Sequence, residues 1–171
     1  LIGTRSQPLT DGRGEINNLA GHLRINGLAP ITRLEGMLVF NSGILPLRVD
    51  GVDPEAEKTV SIIPSHRISG QWGSLAAGEN RIFVGYGVAR NLGLSPGDRV
   101  TFIVPEAGAV PGGVTPRLHS LTIAGIFSVD SAVDNSWAFI HIADAARIKG
   151  WDKDTVEGIR LSLEDYYQAP L

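Results

Sequence analysis

The chain of 171 residues has no cysteine. That absence removes disulfides, thiolate metal sites and cysteine catalysis, and it suits either the cytoplasm or a bacterial envelope compartment. No apolar run reaches the ~18–20 residues needed to span a bilayer. The first residue is Leu1, and no charged-then-apolar leader follows it. The chain therefore reads as an excised fragment or mature segment, with any membrane anchor of the parent protein lying outside it. Net charge is −3 and the basic residues are scattered, so the basic stripe that nucleic acid requires is missing. There is no GxxxxGK[ST] loop to cradle ATP phosphates and no GxSxG elbow to raise a serine nucleophile. Internal repeats and low-complexity tracts are absent too.

What is present is enough apolar material for a core: 43% of residues are hydrophobic. This allows one domain, or two small lobes dividing near residues 53–80. The stretch from Val84 to Phe127 carries the most information. A short helix containing Val88, Ala89 and Leu92 closes at Gly93, a residue suited to the left-handed position after a helix. Leu94 packs back, and Ser95-Pro96-Gly97-Asp98 turns the chain, with Asp98 bonding its own backbone. Arg99–Val104 and Leu118–Phe127 read as strands. The connection between them, Pro105–Pro116, is far longer than a hairpin needs. An overlong tip on a well-specified ribbon points to a contact surface.

Elsewhere, residues 1–10 suggest an edge strand, and the spacing of Ile16, Leu19, Ala20 and Leu23 predicts an amphipathic helix over Gly14–Ile25 ended by Gly27. Ile31–Phe40 and Ile44–Val52 are expected strands joined through Asn41-Ser42-Gly43, residues of hairpin chemistry. Asp53-Pro54-Glu55 has the form of a capped helix start. Lys58–Asn80 shows little periodicity. Arg81–Val84, Ala138–His141 and Gly158–Leu163 are further strands, and Ile142, Ala145, Ala146 and Ile148 form a helix stopped at Gly150. The expected class is α+β: a mixed, mostly antiparallel sheet with a few short helices and a long projecting β-hairpin.

Catalytic equipment is sparse. Gly85-Tyr86-Gly87 resembles a nucleotide-binding turn, but Arg90 stands where the third glycine belongs, so close packing of the helix on the sheet is the expected role. The histidines His22, His66, His119 and His141 form no HxH or HxxxH pair and are expected to serve structure. Asp53, Glu55 and Glu57 are accounted for by capping and by the helix dipole. Trp137 is expected in the core, whereas Trp72 and Trp151 are open to either a core or a contact role. No catalytic residue, metal or cofactor is expected.

Three stretches together carry a resemblance: GVDPEAEKTVS, then VGYGVARNLGLSPGDRVTFIVP with TPRLHSLTIAGIF, then SWAFIHIADAARI…VEGIRLSLEDYYQAP. In this order they are similar to the periplasmic domain of LolC/LolE, membrane subunits of the bacterial lipoprotein-releasing ABC transporter, with a MacB-like periplasmic core. The resemblance implies an α+β domain between two membrane helices, at the periplasmic face of the inner membrane. It implies a partner subunit of the LolC/LolE type and ATP hydrolysis by a separate subunit, LolD. It also implies contact with lipoprotein or with the carrier LolA through the hook-like tip and strand roots: Pro105, Val110, Pro111, Gly112, Gly113, Val114, Pro116, Arg117 and His119. The family's pad positions fall on Thr101, Leu118 and His119, which lack the arginine or glutamine of the LolC pattern, and Pro111-Gly112 replaces a proline–methionine pair. This departure leans the resemblance toward LolE. The other readings open at this point are a MacB-like efflux domain meeting an adaptor protein, and a small β-rich ligand-binding or enzymatic domain using Asp98.

Overall fold

A computed structural model describes residues 25–107, 114–152 and 154–163. Along these the strands are β1 (Ile25–Phe40), β2 (Gly43–Val52), β3 (Arg67–Gly70), β4 (Arg81–Gly85), β5 (Arg99–Ala107), β6 (Val114–Phe127), β7 (Trp137–His141) and β8 (Gly158–Leu163). Three short helices accompany them: α1 (Pro54–Glu57), α2 (Tyr86–Leu92) and α3 (Ile142–Lys149).

The strands form one mixed sheet. Its order is β2-β7-β4-β6-β5-β1-β8, with β3 added on β6, and a direct pairing of β1 with β2 closes six of the strands into a ring. The β2–β7 and β4–β6 pairings are parallel and the other pairings antiparallel, so the mostly antiparallel expectation holds. Closure into a barrel-like ring is the feature that sequence did not indicate.

Alternation along the strands divides the apolar residues between two faces. Inside the ring lie Leu34, Leu38, Leu47, Val49, Ile82, Val84, Val100, Phe102, Leu121, Ile123, Ala138 and Ile140, drawn from all six ring strands. Val88 and Ala89 of α2 and Ala145 and Ile148 of α3 complete this cluster. The alternate residues Phe83, Phe139 and Phe127 face outward, where Ile63, Trp72 and Leu75 from the β2–β4 connection cover them. Trp72 meets Phe83 and Phe139 edge-on, with centroids 5.3 and 5.6 Å away, and its indole N–H donates to the Pro54 carbonyl at 2.8 Å. Trp72 is therefore core, and residues of the poorly periodic Lys58–Asn80 stretch cover this face of the sheet. Full burial of each of these rings contributes roughly 1.5–3 kcal/mol.

The local punctuation behaves as expected. Asn41 takes φ 52 in the two-residue loop between Phe40 and Gly43. Asp53 caps α1 through the Glu55 and Ala56 N–H groups. Gly93 (φ 72) and Gly150 (φ 75) end α2 and α3 in the left-handed region. Gly97 has φ 96, and the Asp98 carboxylate accepts from the Ser95 N–H at 2.8 Å, closing that turn. The edge strand over 1–10 lies outside the described residues, as does the helix over Gly14–Ile25 apart from its last residue. Ile25 begins β1, and Gly27 lies within that strand rather than ending a helix.

Candidate functional site

The ribbon is longer than expected and its tip shorter. β5 and β6 stay in register from Arg99↔Thr122 through Pro105↔Pro116 to Ala107↔Val114. Pro105, Val114, Pro116, Arg117 and His119 are therefore strand residues. The tip proper is residues 108–113, so Val110, Pro111, Gly112 and Gly113 lie outside the described residues. Beyond Ile103 the pairing of β5 with β1 ends, and β4 joins β6 only from Thr122 onward. Val104–Ala107 and Val114–Arg117 are thus paired with each other and with no third described strand.

The two faces of this ribbon differ. On the outer face, antiparallel registers align Pro46, Met37, Ile103 and Leu118 in a row across β2, β1, β5 and β6. A second row holds Ile44, Val39, Thr101 and Ser120. Leu118 is 67% exposed and Ile44 58%, and Pro105 and Pro116 extend the face outward, both exposed. The pad positions Thr101 and Leu118 share this face. His119 does not: it stands opposite the buried Phe102 on the inner face and is half-buried. The outer apolar rows escaped notice because MLVF and TFIVP are continuous apolar runs, and a run does not say which alternate residues lack cover.

At the mouth of the ring, Arg117 and Pro105 line a groove of about 340 Å³ together with Arg33, Leu34, Glu35, Val104, Ile148, Lys149 and Trp151. Arg33 is held by the buried Asp50 carboxylate at 3.2 Å, which also draws Arg48 at 3.4 Å. Lys149 lies 4.6 Å above the Trp151 ring and 3.6 Å from Glu157. Trp151 thus belongs to a groove wall. Trp137 is half-buried against the outer cluster, under the Arg48 guanidinium at 4.0 Å, as its core expectation required in part.

The other candidate motifs resolve into structure. A side chain at Gly85 would strike the Asp134 backbone and one at Gly87 the Asn135 side chain, so both glycines admit the turn Ala132–Asn135 against α2. Asp134 is itself satisfied by the Ser128 hydroxyl and the Val129 and Asp130 N–H groups at 2.9–3.0 Å. His141 caps α3, its Nδ1 accepting from the Ala143 N–H at 3.0 Å. His66 bonds the Ile62 carbonyl through Nδ1 at 2.7 Å. Among the described residues, no group of three His, Asp or Glu side chains is arranged to hold a metal. Glu57 departs from its expected role. It is fully buried and ion-paired with Arg160 of β8, rather than serving the dipole of α1. Burial lowers the pKa of Arg160, the nearby Asp50 raises it, and Arg33 and Arg48 lower it.

No protein-family model matches the chain. A lipoprotein-releasing system transmembrane protein LolC from Neisseria meningitidis serogroup B is 34% identical over 99% of the chain, which spans 41% of that protein. The LolC of Xylella fastidiosa strain Temecula1 is 28% identical over 98%, spanning 40% of that protein. A LolE from Haemophilus influenzae is 24% identical over 85% of the chain and 35% of its own length. The chain is similar to LolC and LolE over nearly its whole length. This LolC/LolE-like domain spans less than half of those relatives, whose names are those of transmembrane subunits rather than of enzymes. Its fold is shared with the extracellular domain of the ABC-type transporter YknZ from Gram-positive bacteria (TM-score 0.62, 12% identity, 98% of this chain and 82% of that one). It is shared equally with the periplasmic region of MacB from Actinobacillus actinomycetemcomitans (TM-score 0.62, 12% identity, 96% and 72%). The LolC/LolE-like domain thus shares its fold with these two transporter domains, and none of its described helices is long and apolar enough to cross a membrane.

Proposed function

We propose that this chain is the periplasmic domain of a lipoprotein-releasing ABC transporter subunit at the inner membrane, and that its β5–β6 ribbon meets LolA or the lipoprotein during transfer. One observation carries the reading: the ribbon runs past its last supporting strand while its outer face presents Leu118, Ile103, Pro105 and Pro116, an apolar row with no described cover. Exposed apolar surface of this kind marks interaction sites, and prolines lower the entropy lost on docking. The hairpin projects, in this reading, and contact runs through Val110, Pro111, Gly112 and Gly113, with Val114 at the end of β6 beside them. Pro116 lies on the apolar face, with Arg117 and His119 on the other side of the root. Ile25 pairs with Leu163, so the two ends of the described domain lie side by side. That arrangement suits flanking membrane helices on one side. ATP hydrolysis then belongs to LolD, and a second LolC/LolE-type subunit completes the assembly.

Deleting Ala107–Val114 and joining Glu106 to Thr115 should leave the melting temperature nearly unchanged and weaken partner binding. Calorimetric titration with LolA and, separately, with a detergent-held lipoprotein reads the effect. Loss toward LolA assigns a LolC-like role, and loss toward lipoprotein a LolE-like one. Unchanged affinity for both would show that the ribbon is not the contact.

A further inference from the structure

Pro105 of β5 and Pro116 of β6 are register partners, and both are exposed. The two residues of a hydrogen-bonded antiparallel pair exchange both of their N–H···O bonds, which two prolines cannot do. Pro105↔Pro116 is therefore a non-hydrogen-bonded pair, and the inward bonds fall to Val104↔Arg117 and Glu106↔Thr115 on either side. Along the unbroken register Thr122 belongs to the same set as Pro116. Its N–H does point away from β5, donating to the Asn80 carbonyl just ahead of β4 at 2.8 Å. On β5, Ile103 shares the set of Pro105, and a side chain at Gly36 of β1 would strike the Ile103 carbonyl, so that backbone faces β1. Each proline thus stands where another residue would present its N–H to the outside of the ribbon, one on each edge.

Those edges have no described partner. Past Ile103 no described strand but β6 pairs with β5, and before Thr122 none but β5 pairs with β6. The strands themselves are of the kind that recruit others: TFIV in β5 and SLTIAGIF in β6 carry no charge and are rich in strand-forming residues. On the β6 edge the outward positions are Val114, Pro116, Leu118 and Ser120, and Pro116 interrupts that row of donors. On the β5 edge Pro105 is the first outward position past Ile103. We propose that Pro105 and Pro116 close both edges of the ribbon to strand addition by a second copy of this chain, so that the ribbon meets other proteins through its side-chain faces. Neither proline removes a bond from the β5–β6 ladder. One proline alone would leave the opposite edge open, and a proline one place along either strand would break the ribbon itself. The proposal rests on register, so it stands or falls separately from the transport reading.

The test is the double variant Pro105→Thr with Pro116→Thr in the full chain. Both introduced N–H groups point outward, so its melting temperature in dilute solution should match that of the parent chain. Sedimentation velocity at rising concentration should then show self-association of the variant and a constant coefficient for the parent. Hydrogen exchange followed by NMR locates the contact. The amides introduced at positions 105 and 116 should exchange freely in dilute solution and about tenfold more slowly in concentrated samples. Glu106→Pro is the contrast: it removes an inward bond, so exchange at Thr115 should quicken without self-association. The proposal is overturned by a double variant that stays monomeric to about 1 mM, or by a parent chain that self-associates with slowed exchange at Leu118 and Ser120. Association that leaves positions 105 and 116 unprotected overturns it too, as does a double variant unfolded in dilute solution. Unchanged exchange at Thr115 in Glu106→Pro would refute the pairing on which it rests.

Discussion

Glu57 shows how far a single side chain can depart from its local context. Three acidic residues at the start of α1 invite one explanation, yet they do three things. Asp53 caps the helix, Glu55 pairs with Lys58 at 3.1 Å on the surface, and Glu57 is fully buried against Arg160. The Arg160 partner lies 103 residues away, so no spacing argument reaches it. Replacing Glu57 by Gln should destabilise the fold by about 3 kcal/mol, because Arg160 then keeps its charge in a partly dry site with less to neutralise it. The double replacement Glu57→Met with Arg160→Met should recover most of that loss in urea titrations. A single-mutant loss below about 0.5 kcal/mol, the range of ordinary surface changes, would show the pair to be dispensable. The lowered pKa of Arg160 has one consequence for pH. The unfolded chain holds this proton more tightly, so the group adds stability as pH rises, and only in the strongly alkaline range. Pro105 is the other instructive residue. The sequence reading puts it in an unpaired tip, but its pairing with Pro116 makes it a strand residue of the ribbon.

The elements themselves were largely legible, because their signals are local. Gly93 and Gly150 stop helices, Asp98 closes its turn, and Gly158–Leu163 is a strand, each on residues within a few positions of one another. Gly85 and Gly87 were correctly read as packing residues, although the body they admit is the Ala132–Asn135 turn and not the sheet. That distinction yields a contrast. Gly85→Ala should cost about 1–3 kcal/mol, since the new methyl meets backbone of Asp134 that cannot swing away. Gly73→Ala meets nothing within 4 Å and should stay within about 0.5 kcal/mol. Thermal melts of the two variants compare them directly, and similar losses would contradict the packing role. Lys58–Asn80 was illegible as an element because its order comes from Trp72, Leu75 and Ile63 seating on phenylalanines of other strands.

For the whole molecule, ring closure sets where the fold is firm and where it gives way. β4 is flanked by β6 and β7 and its residues Ile82, Phe83 and Val84 are fully buried, whereas the ribbon past Ile103 has only its own partner strand. Hydrogen exchange should therefore be slowest at Ile82–Val84 and fastest, within the sheet, at Val104–Ala107. Comparable protection in the two would mean that something covers the ribbon in solution. Stability concentrated in the ring with a weakly tied ribbon also explains why the ribbon is the proposed contact: it can be altered without disturbing the core. The sequence alone determined every described strand but β3, the ends of α2 and α3, and the likeness to LolC and LolE, because each rests on short-range pattern or on residues in order. Tertiary structure alone decided the closed ring, the buried Glu57–Arg160 pair and the apolar rows on the outer face. Those depend on which strands lie side by side and in what register, and alternation along a single strand leaves both choices open.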